Sequence, residues 1–236
     1  MVVQPKKRRL DDPVEEAEVE SRWEAAPAVV LVIAFQVLLA GASEDKGWKL
    51  WGMAWWVWLI PVGPEVALLA ALAFSAPRHR LEQLGQRRTV ALGLLGIISL
   101  TNAVELVTLV GSLVSGDEKN GPELLLKGVT IWATNVTVFG LWFWAIDRGG
   151  PVVRRDPDAP LPDFQFPQME NPQLAPDGWR PQLLDYIYTS FTNSIAFSPT
   201  DAMPLSAMAK MLMLAESGVS AITVLLVAAR SVNIFT

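Results

Sequence analysis

Residues 186–204 read YIYTSFTNSIAFSPTDAMP. The stretch is rich in hydroxyls and amides. A proline-studded segment precedes it, and an apolar run long enough to cross a membrane follows it. Its first part belongs to a short helix, PQLLDYIYTSFTNS at 181–194. Pro181 suits a first helical turn. Leu183, Leu184, Ile187 and Phe191 recur at helical spacing, with Asp185, Thr189, Thr192 and Asn193 on other faces. Such a helix reaches about 21 Å at 1.5 Å per residue. That is too short to cross a bilayer but right for a helix that dips in or lies on its surface. The following IAFSPTDAMP contains Pro199 and Pro204 and cannot prolong the helix. Non-helical backbone at membrane depth survives only inside protein or beside water. Two arrangements remain: a surface helix followed by a turn, or a helix that enters, a loop, and a helix that leaves. In the second, the polar side is expected to face water or copies of itself, with the spans packed on the apolar side.

The rest of the chain sets the context. It is 51% hydrophobic and 18% charged, with a mean hydropathy of +0.31, against about 25% charged in soluble domains. The apolar residues come in blocks, which points to a membrane protein. There is no cysteine, which excludes disulfides, thiolate metal sites and thiol nucleophiles, and His79 is the only histidine. No metal site and no cofactor are expected. The basic clusters KKRR and PRHRLEQLGQRR flank apolar runs, so membrane topology accounts for them and no nucleic-acid partner is expected. No HExxH, GxSxG, P-loop or GxGxxG motif is present, and no enzyme is expected.

The chain divides into four parts. Residues 1–25 form a polar, cytoplasmic tail whose acidic DDPVEEAEVE argues against a secretory leader. Residues 26–146 hold four transmembrane helices, at roughly 26–42, 49–76, 89–115 and 123–146. PVGPE predicts a kink at Pro61–Pro64 in the second. A proline-rich linker fills 147–180, and 181–236 hold the re-entrant helix, its loop and a last span at roughly 205–230. Arginines gather in the tail, in 77–88 and after the fourth span, while 43–48 and 116–122 carry one lysine each. This bias puts the N-terminus in the cytoplasm and the C-terminus outside. The expected fold is an all-α membrane protein with five transmembrane helices plus a re-entrant, pore-like helix and loop before the last span. Its partner is the lipid bilayer and its location a bacterial cytoplasmic (inner) membrane.

Polar residues fall inside the spans: Glu65, Asn102, Glu105, Asn135 and Glu216. A carboxylate at the bilayer centre costs about 2.5–3.5 kcal/mol on insertion scales, so each should face the bundle or water. They mark an ion or proton path, or they are structural partners: Glu65 for the backbone freed by the kink, Glu216 for the back of the re-entrant helix, the asparagines across helices. Lys127 and Lys210 are expected to snorkel. Asp201 either caps the last helix or serves the loop.

The segment also resembles the pore-loop and inner-helix unit of two-span potassium channels. Ser190-Phe191 matches the pore helix, Asp201 the aspartate closing the filter and Pro204 the proline after it. Ala209-Lys210, Leu212 and Glu216 match the inner helix. The register holds without a gap over about 30 residues. The potassium filter, TVGYG, strips the ion's hydration shell with carbonyls. The equivalent stretch, Ala196 to Thr200, has no glycine and carries Pro199, so a potassium filter is not expected. The resemblance implies an oligomeric pore, four-fold by analogy, passing inorganic ions and lined by Asn193, Ser194, Phe197, Ser198, Thr200 and Asp201. Charge bias places the loop on the cytoplasmic face, opposite to potassium channels. The DYIYTSFTNSIAFSPTDAMP ending after the linker is also similar to a family of small bacterial multi-pass membrane proteins without an assigned activity. The alternatives to a pore are a non-conducting scaffold or sensor, and a small secondary transporter using the intramembrane carboxylates.

Overall fold

The computed structural model describes residues 26–49, 53–73, 87–116, 120–151, 153–155, 158–198 and 201–235. The tail, the connector that carries His79, and Thr200 lie outside the described residues. Helices α1 (Ala26–Lys46), α2 (Val62–Ala73), α3 (Arg87–Ser115) and α4 (Gly121–Ile146) are followed by a short α5 (Pro167–Glu170), then α6 (Leu183–Ala196) and α7 (Ala207–Phe235). Strands β1 (Phe164–Gln165) and β2 (Met203–Pro204) pair antiparallel, Phe164 with Pro204 and Gln165 with Met203.

Four helices, α1, α3, α4 and α7, are long and apolar enough to cross a membrane, which is consistent with a multi-pass membrane protein. The second expected span is divided. A 3-10 helix covers Trp55–Leu59, the chain turns at Ile60 and Pro61, and α2 carries Pro64 in its first turn. This is the break that PVGPE predicted, and the apolar helical stretch there is shorter, Trp55–Ala70.

Helix α4 is the centre of the bundle. Its apolar window is 78% buried, against 22–33% for the other three long helices. Asn120 caps it, accepting from the Glu123 amide, and Pro122 fills its first turn. Helices α6 and α7 pack along one side of α4, and α1 and α3 along the other. Two glycines allow the close approach. A Cβ on Gly140 would stand 2.5 Å from Ile187 Cδ1 on α6, and one on Gly128 would stand 2.5 Å from Val227 Cγ2 on α7.

The burial pattern is inverted relative to a water-soluble bundle. Leu31, Leu38, Leu100, Val107, Met211 and Leu225 are exposed, while Gln36, Asn102, Glu105, Asn135, Glu216 and Ser220 are buried. Apolar side chains outward and polar side chains inward is the arrangement lipid favours, because in hydrocarbon a polar group finds partners only in the protein.

Candidate functional site

The short helix runs antiparallel to the C-terminal half of α4. Phe191 meets Trp132 edge to face at 5.6 Å, Ser190 Oγ donates to the Val136 carbonyl at 2.7 Å, Ile187 lies over Gly140, and Tyr186 reaches Asp147. From Tyr186 to Ala196 the helix advances about 15 Å along α4. Phe197 then takes a left-handed conformation (φ 51°) that ends it, its amide donating to the Asn193 carbonyl. By Met203 the chain has returned to β1, and the Leu205 amide donates to the Asp163 carbonyl at 2.8 Å, beside the Asp147 end of α4. At the helix start the Gln182 amide donates to Asp185 Oδ2 at 2.7 Å. Burial pushes the Asp185 carboxyl above its ordinary value, and that amide bond pulls the other way.

The helix lies with its polar face toward the protein. Thr189, Ser190, Asn193 and Ser194 are buried, while Leu184 is 76% exposed and Phe191 and Ile195 are exposed. The expected orientation, polar side toward water or a copy, is therefore reversed within this chain. Asn193 Nδ2 donates to Glu216 Oε2 at 2.6 Å and to the Met213 carbonyl at 3.1 Å, and Ser190 Oγ bonds Glu216 Oε1. One turn of α7 away, Asn135 Nδ2 donates to Ser220 Oγ at 2.9 Å and to the Glu216 carbonyl at 3.1 Å. Three helices are thus joined by one buried polar knot. Glu216 does bind the back of α6, through Ser190 and Asn193. Ser194 Oγ donates within its own helix, to the Phe191 carbonyl at 2.7 Å.

The remaining described loop residues, Phe197, Ser198 and Asp201, are exposed. Asp201 does not cap α7. Ser206 does, its Oγ accepting from the Ala209 amide at 3.1 Å. Asp201 instead accepts a hydrogen bond from the Tyr188 hydroxyl, and that bond and its negative charge raise the phenol above its ordinary value.

A second buried network closes the other end. Asp147 Oδ2 accepts from the Tyr186 hydroxyl at 2.6 Å, and its Oδ1 accepts from the Asp163 amide at 2.8 Å. The Arg154 guanidinium donates to Tyr186 and, at 3.1 Å, to the Trp144 carbonyl, with Asp147 Oδ2 3.7 Å away. Asp163 in turn accepts from the Arg148 amide at 3.1 Å, holding Arg148 at φ 50°. The linker is therefore an ordered cap pinned to the end of α4. In sequence this segment reads as a proline-rich linker. An acid and two arginines around Gly149-Gly150 were the available signal. An open groove of about 680 Å³ runs through this cap, lined by Arg148, Gln168, Trp179 and Arg180 among others.

On the far side of α4, Glu65, Asn102 and Glu105 are buried in the bundle. Glu65 does not serve the kink's backbone. Its Oε1 accepts from Gln36 Nε2 at 2.8 Å, a partner the sequence reading did not single out. Lys127 does not snorkel either. It is fully buried, with Nζ 2.6 Å from Glu123 Oε1 and 2.8 Å from the Lys49 carbonyl. Asn135 and Glu216 belong to the knot, so the five intramembrane polar residues form two separate groups. Among the described residues no cluster of three or more His, Asp or Glu side chains is placed to hold a metal. No protein-family model, curated protein or solved structure matches the chain.

Proposed function

We propose that the chain is a multi-pass membrane protein whose copies assemble around the turn after α6 into an ion-conducting pore without a potassium-type filter. The observation that carries this reading is the path of residues 183–203. Helix α6 advances along α4 from the capped end, turns at Phe197, and is back at that end by Met203. A helix that enters and a chain that returns is the form a pore loop takes, and resemblance to the potassium-channel unit covers the same residues. The buried knot of Ser190, Asn193 and Glu216 holds the helix, and Ser198 and the Tyr188-bonded Asp201 stay exposed at the turn, where a common axis would pass. Phe197, Ser198, Thr200 and Asp201 form the constriction in this reading, with Asn193 and Ser194 as anchors behind it. A ring of Asp201 carboxylates favours cations.

Five crossings complete the proposal: α1, the broken 55–73 stretch, α3, α4 and α7. Val29 and Ile98 lie beside Leu141, and Lys49 beside Lys127, which supports alternating directions. The cap then shares a side with the N-terminus, and the arginine bias makes that side the cytoplasm.

Because the chain has no cysteine, Ser198→Cys gives a single reporter. The proposal expects labelling by a membrane-impermeant thiol reagent, disulfide cross-links between copies, and reduced ion flux after modification. Labelling with neither cross-links nor a change in flux would remove Ser198 from any pore.

A further inference from the structure

One polar level crosses the bundle on the α1–α3 side of α4. Gln36 of α1, Glu65 of α2, and Asn102 and Glu105 of α3 are 0%, 1%, 3% and 4% exposed. Apolar packing bounds this level on both sides, with Leu68, Ile98 and Val138 in one cluster and Leu39, Leu106 and Ile131 in the other. The Gln36–Glu65 hydrogen bond uses one oxygen. Gln36 Oε1, Glu65 Oε2, Asn102 Oδ1 and both Glu105 oxygens are buried without a hydrogen-bond partner. Buried polar atoms are nearly always paired, and five orphaned oxygens at one level need an explanation. Glu65 and Glu105 are the two carboxyl groups of this level, and both are buried. Two carboxylates buried in one low-dielectric core do not both ionise without a positive partner.

No side chain in this group supplies that partner. Glu65 and Glu105 are its titratable members, from α2 and α3. Helix α1 contributes the Gln36 amide. Helix α4 contributes the neutral Thr137, which lines the same notch as Glu65, and its Lys127 is committed to Glu123 and the Lys49 carbonyl. The donors are all oxygens, which suits hard cations and not zinc or copper. The notch, between Val29, Ile98 and Val138, opens onto Glu65 and has a volume of about 10 Å³.

We infer that Glu65 and Glu105, with the amide oxygens of Gln36 and Asn102, bind one small monovalent cation of the sodium class, in competition with protons. The site is separate from the turn after α6 and does not rest on the pore reading. Sodium brings the positive charge that lets the carboxylates ionise, and the Gln36 and Asn102 carbonyl oxygens complete its shell. Protonation of the carboxylates displaces it.

The test is thermal unfolding of the purified full-length protein, in sodium chloride against choline chloride at equal ionic strength. A ligand that binds only the folded state raises the midpoint with its concentration. Sodium should raise the midpoint in a graded way, more at pH 8 than at pH 6. Glu105→Gln, with helical content unchanged, should abolish the sodium effect. If Glu105→Gln does not fold, Asn102→Ala serves, and should raise the sodium concentration of half effect several-fold. No difference between sodium and choline would overturn the inference. So would a sodium effect retained in Glu105→Gln, or, where that variant does not fold, an unchanged sodium concentration of half effect in Asn102→Ala. Stabilisation by calcium but not sodium would overturn the monovalent assignment.

Discussion

Asn193 Nδ2 lies 2.6 Å from Glu216 Oε2, so the end of the short helix is tied to the middle of the last long one. Ser190 binds the other oxygen of the same carboxyl group. Removing one partner leaves a buried acceptor unsatisfied, at about 1–3 kcal/mol. Asn193→Ala should therefore lower stability by about that amount, and Ser190→Ala should do so too. Because both act on Glu216, their effects should not add in a double-mutant cycle. Additive losses would mean that the two bonds act independently.

The cap should unfold from the bundle when Asp147 is removed. Asp147→Ala leaves the buried Arg154 guanidinium without its carboxylate 3.7 Å away, and frees the Asp163 amide and the Tyr186 hydroxyl. Breaking one half of a buried ion pair costs about 3–5 kcal/mol. Tyr186→Phe removes only hydroxyl bonds, made to charged groups, and should cost less, about 1.5–3 kcal/mol. Limited proteolysis of residues 158–182 should accelerate strongly in Asp147→Ala and less in Tyr186→Phe.

Gly140 sets the distance between α4 and α6. Any Cβ there meets Ile187, including its Cα at 3.0 Å. Overpacking of this kind costs about 1–3 kcal/mol. Gly140→Val should be destabilised by that amount, and Gly140→Val with Ile187→Ala should recover part of it. Wild-type stability in Gly140→Val would contradict the close packing.

The Tyr188 phenol should titrate above its ordinary range, because Asp201 accepts its hydrogen bond and places negative charge beside it. Its contribution to stability is present below the ordinary phenol value and is lost as pH rises through the folded value. With only two tyrosines in the chain, tyrosinate absorbance resolves it. Asp201→Asn should bring one of the two ionisations down in pH.

Much of the architecture is legible in the sequence because it depends on local rules. The short helix, read at 181–194, lies at 183–196, and PVGPE breaks the second apolar run where two prolines dictate. The inside-facing side of α6 was not legible in that way. Amphipathic patterning fixes that two faces differ, and the surrounding solvent decides which one turns inward. In the structure the hydroxyls and amides turn to α4 and α7, the arrangement that lipid outside would favour. Gln36 is a single amide in a long apolar run, and its partner Glu65 is 29 residues away. The Asp147–Tyr186 bond spans 39 residues. Contacts at such separations are made by packing, and no spacing rule announces them. Asp201 was the candidate cap for α7, but the helix begins later, at Ala207, and Ser206 caps it.

The pore itself is tested most directly by ion flux into proteoliposomes of the purified protein, under sodium, potassium, proton and chloride gradients, wild type against Asp201→Ala. The account predicts cation flux in the wild type that Asp201→Ala reduces or makes less cation-selective. Folded, reconstituted protein that passes no ion under any gradient would contradict it.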